Sequence, residues 1–411
     1  MLPDMNHMHQ PSQKILEKYA DVLVNFALGG GEGIKKGETV RLTVYDIAKP
    51  FYIELRRAIL KAGGNVLSNY LLADEGKINL EKEFYDLANE EQLKFFPDKF
   101  LKGLVDQIDH SIFIDSETNK FALKDVDPKK IMATSQVYKP FKEWRDEKEN
   151  KGKFTWTMAL YATEAMAKEA GLSLKEYWEQ IIKACFLDKA NPVKEWKNIY
   201  GKIGEYKNKL NELKIDKIHI NGPDVDLKIN MGEKRKWVGG SGRNVPSFEL
   251  FTSPDWRGAE GWARFNQPLY SYGNLVEGIE LEFKGGKVSK AKAKKNEKVL
   301  LEMIKADNAD KIGEFSLTDK RFSRITKFMG ETLYDENAGG PNGNFHIALG
   351  SSYHDAFDGD MADKPKEHWQ NLGFNDSAIH TDLVSTSPRI VTAILKDGTE
   401  KIIYKNGQFC L

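Results

Sequence analysis

The residues best suited to chemistry are His380 and Asp382, which flank Thr381 in the run Asp376–Ser385. Ile, Leu, Val and Thr surround them, so the run reads as a short strand. On a strand, residues two apart leave the backbone on the same face. An imidazole and a carboxylate then stand side by side, with Cα atoms about 6–7 Å apart. That pair suits a hard-to-borderline divalent cation. Taken alone, the pattern is more often a salt-bridged surface pair.

Three more residues sit in equally apolar runs. Glu249 lies in Ser247–Thr252, Glu314 in Ile312–Leu317 and His346 in Asn344–Gly350. A carboxylate in such a run is either on a strand's wet face or buried with a partner. With His380 and Asp382, the set comprises three carboxylates and two imidazoles among core-like neighbours. Buried charge needs compensation, and metal cations supply it. Five oxygen and nitrogen ligands without cysteine suit two ions that share a bridging carboxylate. The chain has no H-E-x-x-H, G-x-S-x-G or C-x-x-C, so helical zincin, α/β-hydrolase and zinc-ribbon chemistry lack their local signatures. The remaining histidines read as structural or peripheral: His7 and His9 in a polar terminus, His110 and His219 bordering strands, His354 and His368 in polar stretches.

These residues need elements to hold them, and composition bounds what those can be. The chain has 411 residues, enough for two domains with sizeable cores. Lys+Arg and Asp+Glu are both 61, giving a net charge of zero. Nothing in that balance attracts nucleic acid or an anionic membrane. The two cysteines, Cys185 and Cys410, suggest a reduced, cytoplasmic chain. Met1–Gln13 lacks the apolar stretch of a signal peptide, and no run approaches the ~20 apolar residues of a membrane span.

The periodicity divides the chain near residue 213, into 1–213 and 214–411. Before that point, helical patterns at Gln13–Leu28, Pro50–Ala62, Asn89–Leu104 and Thr163–Ala170 alternate with strands at Thr39–Val44, Asn65–Leu71, Ser111–Asp115 and Phe154–Leu160. This argues for an α/β domain with an open, mostly parallel sheet. Gly29–Gly33 follows a helix and precedes a strand, the reverse of a phosphate cradle, so it reads as a connector. Ser173–Phe186, with capping-box spacing at Ser173 and Glu176, and Pro192–Leu213 form a helical bridge. Short strands then dominate at Lys217–Ile220, Asp224–Ile229, Trp262–Phe265 and Ile279–Phe283, with a helix at Glu297–Asp307. Val288–Lys294 alternates lysine with small residues, a strand with one solvated face. An α+β second domain carrying the metal site follows.

The motifs, in order, resemble a known family. Glu249–Pro254, Gly313-Glu314, Tyr334–Ala338, His346–Gly350, Tyr353 and His380–Asp382 are similar to the thermophilic metallo-aminopeptidases of the aminopeptidase T and aminopeptidase S type. The resemblance covers most of the chain and is strongest from Asp216 to Pro388. It implies that Glu249, Glu314, His346, His380 and Asp382 hold two divalent ions, with Glu314 as the bridge and Tyr353 as an assisting phenol. The donor set accepts zinc, cobalt, manganese or magnesium. It further implies a homodimer that removes N-terminal amino acids from peptides with a free N-terminus, through metal-activated water. Glu314 is also the candidate proton carrier, although a bridging carboxylate has little spare basicity. Two other readings stay open: a dinuclear hydrolase of another amide or ester, and a non-catalytic peptide-binding descendant. The chain departs from the family at 339–345, a connection that looks longer and could alter access to the site.

Overall fold

The computed structural model describes residues 10–74 and 78–411; His7 and His9 lie outside them. Val40, Leu42, Val44, Ile112 and Ile114 are fully buried, because strands covered by helices on both faces must be apolar throughout. They build a five-stranded sheet in the order Asn65–Leu71, Thr39–Tyr45, His110–Asp115, Thr155–Leu160, Asn244–Val245. Every pairing in it is parallel.

Three features of the first half differ from the sequence reading. The first helix is regular only over Gln13–Val22. It widens over Leu23–Ala27 and tightens again to Gly31. Gly29 and Gly30, at φ 65° and 66°, enter a left-handed conformation that costs glycine little, and the Gly29 N–H donates to Thr155 Oγ1 at 3.0 Å. Asn89–Leu104 is not one helix but two, Glu90–Leu93 and Asp98–Gln107. Pro97 lacks an N–H and disfavours helix at the residue before it. Three helices were unforeseen: Leu80–Leu87, capped by Asn79, and Pro128–Val137 and Lys139–Asn150, each with a proline in the first turn. Lys139–Asn150 buries no residue fully, so it has no apolar stripe to betray it.

The bridge forms as expected. Ser173 and Glu176 make both bonds of the capping box, and the helix Pro192–Glu212 leads to an eight-stranded antiparallel sheet that opens with Ile215–Gly222. Trp262–Phe265 is only the end of an eleven-residue strand, Asp255–Phe265. Gly258 and Gly261 break the alternation that would reveal the rest. The lysine-rich strand runs Lys287–Lys292 at the sheet edge, with Lys290 and Lys292 exposed.

A separate four-stranded antiparallel sheet carries the chemistry. Its order is His380–Ser385, Asn344–Gly350, Ile312–Thr318, Glu249–Thr252. Every residue of its two central strands is buried.

Candidate metal centre

Register decides which side chains meet. Glu249 pairs with Thr318, Ser316 with His346, and Glu314 with Ala348. Ala348 pairs in turn with Asp382, and Gly350 with His380. Directly paired residues share a face, and so do residues two apart. Glu249, Glu314, His346, His380 and Asp382 therefore all project from one side of the sheet. Leu250, Phe315, Leu317, Ile347, Leu349 and Leu383 project from the other, into the core. A bulge at Gly313 sets the pairing, so that Glu314 follows Ile312 across from adjacent partners. A Cβ at Gly313 would stand 2.4 Å from the carbonyl oxygens of Gly350 and Ser351; only glycine allows that approach.

All five sequence-derived candidates are brought together. His346 Nε2 stands 3.0 Å from Glu314 and 3.3 Å from Glu249, and His380 Nε2 stands 3.6 Å from Glu314 and 3.5 Å from Asp382. Candidate ligand atoms of Glu249, Glu314 and His346 lie within 4.8 Å of one another, as do those of Glu314, His380 and Asp382. Glu314 is common to both groups. A third group, missed by the sequence reading, joins Glu336 to His346 and Asp382. Glu336 lay in a quoted motif, Tyr334–Ala338, but its polar neighbours gave no hint of burial.

The carboxylates are positioned by neutral donors. Ser316 Oγ donates to Glu249 at 2.6 Å. Asn244 and Asn337 side-chain amides donate to the same oxygen of Glu336, at 3.1 and 3.3 Å. His380 Nδ1 donates to the Ser351 carbonyl at 2.7 Å, which fixes the ring and turns Nε2 inward. A metal-bound histidine is commonly held this way. Tyr353 packs its ring 4.8 Å from His380, and the Arg243 guanidinium lies 5.2 Å from the Tyr353 ring centre. Arg243 was also missed. It is held by Glu149 at 2.8 Å and by Asp355, two residues far away in sequence.

Burial opposes charge throughout, and its effect differs by residue. It pushes Glu249 and Glu336 above the usual carboxylate range, with the neighbouring acids adding to the rise. It opposes charge on His346 too. There the hydrogen bond that the imidazole donates to Glu314 and the charges of Glu249 and Asp382 prevail, and the imidazole rises to about 10. His380 rises to about 9, with Asp382 outweighing burial. Asp382 itself is lowered, because His380 overcomes the burial cost. Tyr353 is pushed well up by burial and then by Glu314, with Arg243 acting the other way.

Four buried or half-buried carboxylates thus converge on two imidazoles. Among the described residues, no Lys or Arg pairs with any of them, and His346 Nδ1 is buried without a partner. This donor set fits divalent cations. Those ions would supply the missing positive charge and leave oxygen and nitrogen as ligands. Glu249, Glu314, Glu336, Tyr353, His380 and Asp382 line a cavity of about 60 Å³. Residues 339–345 are not among the described residues that line this cavity. Arg389 and Tyr404 instead bind the Asn342 carbonyl.

Comparison with known proteins agrees with this geometry. A family described as "Thermophilic metalloprotease (M29)" matches residues 12–409. Aminopeptidase PepS of Streptococcus thermophilus is 27% identical, over 96% of this chain and 98% of its own. Aminopeptidase T of Thermus aquaticus is 30% identical, over 62% of this chain and 65% of its own. The solved structure of wild-type AmpT from Thermus thermophilus superposes with a TM-score of 0.79 at 24% identity, covering 97% of this chain and 100% of that one, which establishes a common fold.

Proposed function

The chain belongs to the thermophilic metalloprotease family M29, and from that membership we propose that it is an aminopeptidase that releases N-terminal amino acids from peptides with a free N-terminus. The observation that carries this reading is the single sheet face bearing Glu249, Glu314, His346, His380 and Asp382, with Glu314 common to two ligand groups. We take these five as ligands of two divalent ions and Glu314 as their bridge. Relatives named aminopeptidases, matched over 98% of their own length, support the substrate class.

Bound ions would supply an activated water near neutral pH and polarise the scissile carbonyl. The chain's own residues do the rest. Ser316 orients Glu249, and the Ser351 carbonyl orients His380. Tyr353 keeps its proton well above neutrality, so the phenol donates to the carbonyl oxygen as negative charge gathers there. Arg243, anchored by Glu149 and Asp355, packs against the Tyr353 ring and keeps it in place.

The reading extends to the whole chain. Residues 1–213 would form the α/β domain and 214–411 the catalytic one, a division supported by the helix that ends at Glu212 just before the eight-stranded sheet and crossed by Asn244–Val245, which joins the first sheet. A homodimer is supported by exposed Leu72, Leu87, Phe95 and Phe100, all in the first half. A cytoplasmic setting is supported by two free thiols, Cys185 and Cys410. No helix among the described residues is long and apolar enough to cross a membrane.

The test is hydrolysis of leucyl-p-nitroanilide with and without added divalent metal. Metal-dependent release of nitroaniline is expected. Hydrolysis of an ester alone would indicate another dinuclear hydrolase, and binding without turnover a non-catalytic peptide binder.

A further inference from the structure

Two cavities meet at the ligand cluster. The one among the ligands, about 60 Å³, is the size of about two waters. The one beside it is about 270 Å³. Asn244, Glu336, His380 and Asp382 line both. Away from those residues the larger cavity turns apolar, with Met158, Leu269, Tyr270 and Leu333 in its wall. Among the described residues, no Lys or Arg lines it.

The apolar wall is not uniform. Leu269 and Leu333 are buried in the core. Tyr270 is pinned: its hydroxyl donates to Glu169 at 3.0 Å, and the Lys120 ammonium lies 4.7 Å from its ring centre. Met158 is half-buried, and the site itself fixes its backbone. Its N–H donates to the Arg243 carbonyl at 2.7 Å. It pairs with Asn244, whose amide donates to Glu336 in the ligand cluster at 3.1 Å. The methionine side chain is unbranched and adapts to what it packs against. Met158 thus joins a backbone held to the cluster with the most adaptable side chain of the wall. It comes from the strand Thr155–Leu160 of the first sheet, so the first half of the chain completes a cavity beside ligands from the second.

In an amino acid, the side chain leaves Cα between the amine and the carbonyl. With the carbonyl over the ions, that side chain needs space within one residue's reach of the ligands, about 3.6 Å. The smaller cavity holds only water-sized groups. The larger one shares its rim of ligands and has the room.

We propose that the 270 Å³ cavity receives the side chain of the substrate's first residue, and that Met158 is the specificity-determining residue in its wall. This rests on the aminopeptidase reading and adds the substrate class to it: peptides that begin with leucine, methionine or another large apolar residue. An N-terminal glutamate would bring its charge to an apolar wall beside Glu336 and Asp382, with no cation of the wall to meet it, which is costly. An N-terminal alanine would leave the wall without contact.

The experiment measures kcat/KM for leucyl-, alanyl- and glutamyl-p-nitroanilide on the metal-loaded enzyme. Ratios are read, because damage to the fold or to metal binding lowers all three rates alike. One methylene in an apolar pocket is worth about 10- to 200-fold, so the wild type should prefer leucyl over alanyl by at least about tenfold, and over glutamyl by at least as much. Met158→Phe fills the cavity and should cut the leucyl-to-alanyl ratio by at least about tenfold. Met158→Lys puts an ammonium in the wall and should raise the glutamyl-to-leucyl ratio by at least about tenfold. An unchanged ratio in either variant would overturn the proposal, whatever the absolute rates. If neither variant folds, Met158→Thr, which is β-branched and suits a strand, must lower the leucyl-to-alanyl ratio or the proposal fails. A wild type that cleaves all three substrates equally overturns this proposal and leaves the aminopeptidase reading standing. A wild type that cleaves none of them overturns that reading, and this proposal with it.

Discussion

At the residue scale, the cluster is a set of acids and imidazoles that burial makes unstable without added cations. Glu314 is the shared member, so its removal should be the most damaging. Glu314→Gln keeps the volume and should lower turnover by several orders of magnitude and reduce the number of bound ions, while circular dichroism stays unchanged. Metal analysis beside the rate measurement checks both, and wild-type turnover with two ions per chain would dismiss the assignment. Lys290→Ala, on the solvated edge strand, should change neither quantity. The imidazoles give a second test. Their raised values, about 10 for His346 and about 9 for His380 against an ordinary 6.5, mean that the metal-free chain holds protons there at neutral pH. A metal ion must displace them. Ion uptake at pH 7 should therefore release protons into weakly buffered solution, and the release should fade above about pH 10. The same sign governs stability. A raised imidazole stabilises the fold below the unfolded value of about 6.5 and loses that contribution as pH rises through 9 and 10. The metal-free chain should melt progressively lower over that window, and the metal-loaded chain should not.

At the element scale, the site depends on a four-stranded sheet and the strap that returns to its edge. Ser351 N–H donates to the Ile379 carbonyl, and Ser352 N–H to the Asn375 carbonyl, both at 2.8 Å. The Asn375 side-chain amide donates to the carbonyls of Gly350 at 2.6 Å and Asn308 at 2.7 Å. This strap places the Ser351 carbonyl that fixes His380. Asn375→Ala leaves two carbonyls without that donor and should cost about 2–4 kcal/mol of unfolding free energy. Its metal affinity should fall as well, measured by titration against a chelating dye, although no ligand has been touched. An affinity equal to wild type would mean that the strap does not set the His380 ring.

At the scale of the whole molecule, two properties follow. Sites dominated by oxygen hold ions less tightly than thiolate sites. Prolonged dialysis against a chelator should abolish activity, and a divalent ion should restore it. Full activity with no metal detectable would remove the metal-centre reading. Large apolar side chains of the first half stand in water, with Leu87 74% and Phe100 70% exposed, and a dimer interface would cover them. The chain should sediment as a dimer. Leu87→Lys combined with Phe100→Glu should shift it to monomer, and a monomeric wild type would refute the dimer.

From the sequence alone came the candidate ligand types and the faces they occupy within each strand. His380 and Asp382 are two apart, so the strand period alone puts them together. Apolar neighbours marked Glu249, Glu314 and His346 as residues inside strands. The parallel order of the first sheet was legible too, because helix and strand periods alternate there. Other features were not. Which strands pair, and in what register, depends on contacts between distant segments: Glu249 pairs with Thr318, 69 residues further on. A slip of one residue would send Glu314 into the core. The bulge at Gly313 leaves no pattern that distinguishes it from an ordinary glycine. Glu336 and Arg243 sit in polar local sequence, and only the folded chain brings Glu336 beside Asp382 and His346 and Arg243 against Tyr353. The helix Lys139–Asn150 was invisible because it buries no full residue, yet its Glu149 anchors Arg243. Periodicity reports what one segment buries along its own length. It is silent on what another segment brings to it, and at this site three-dimensional packing made that choice.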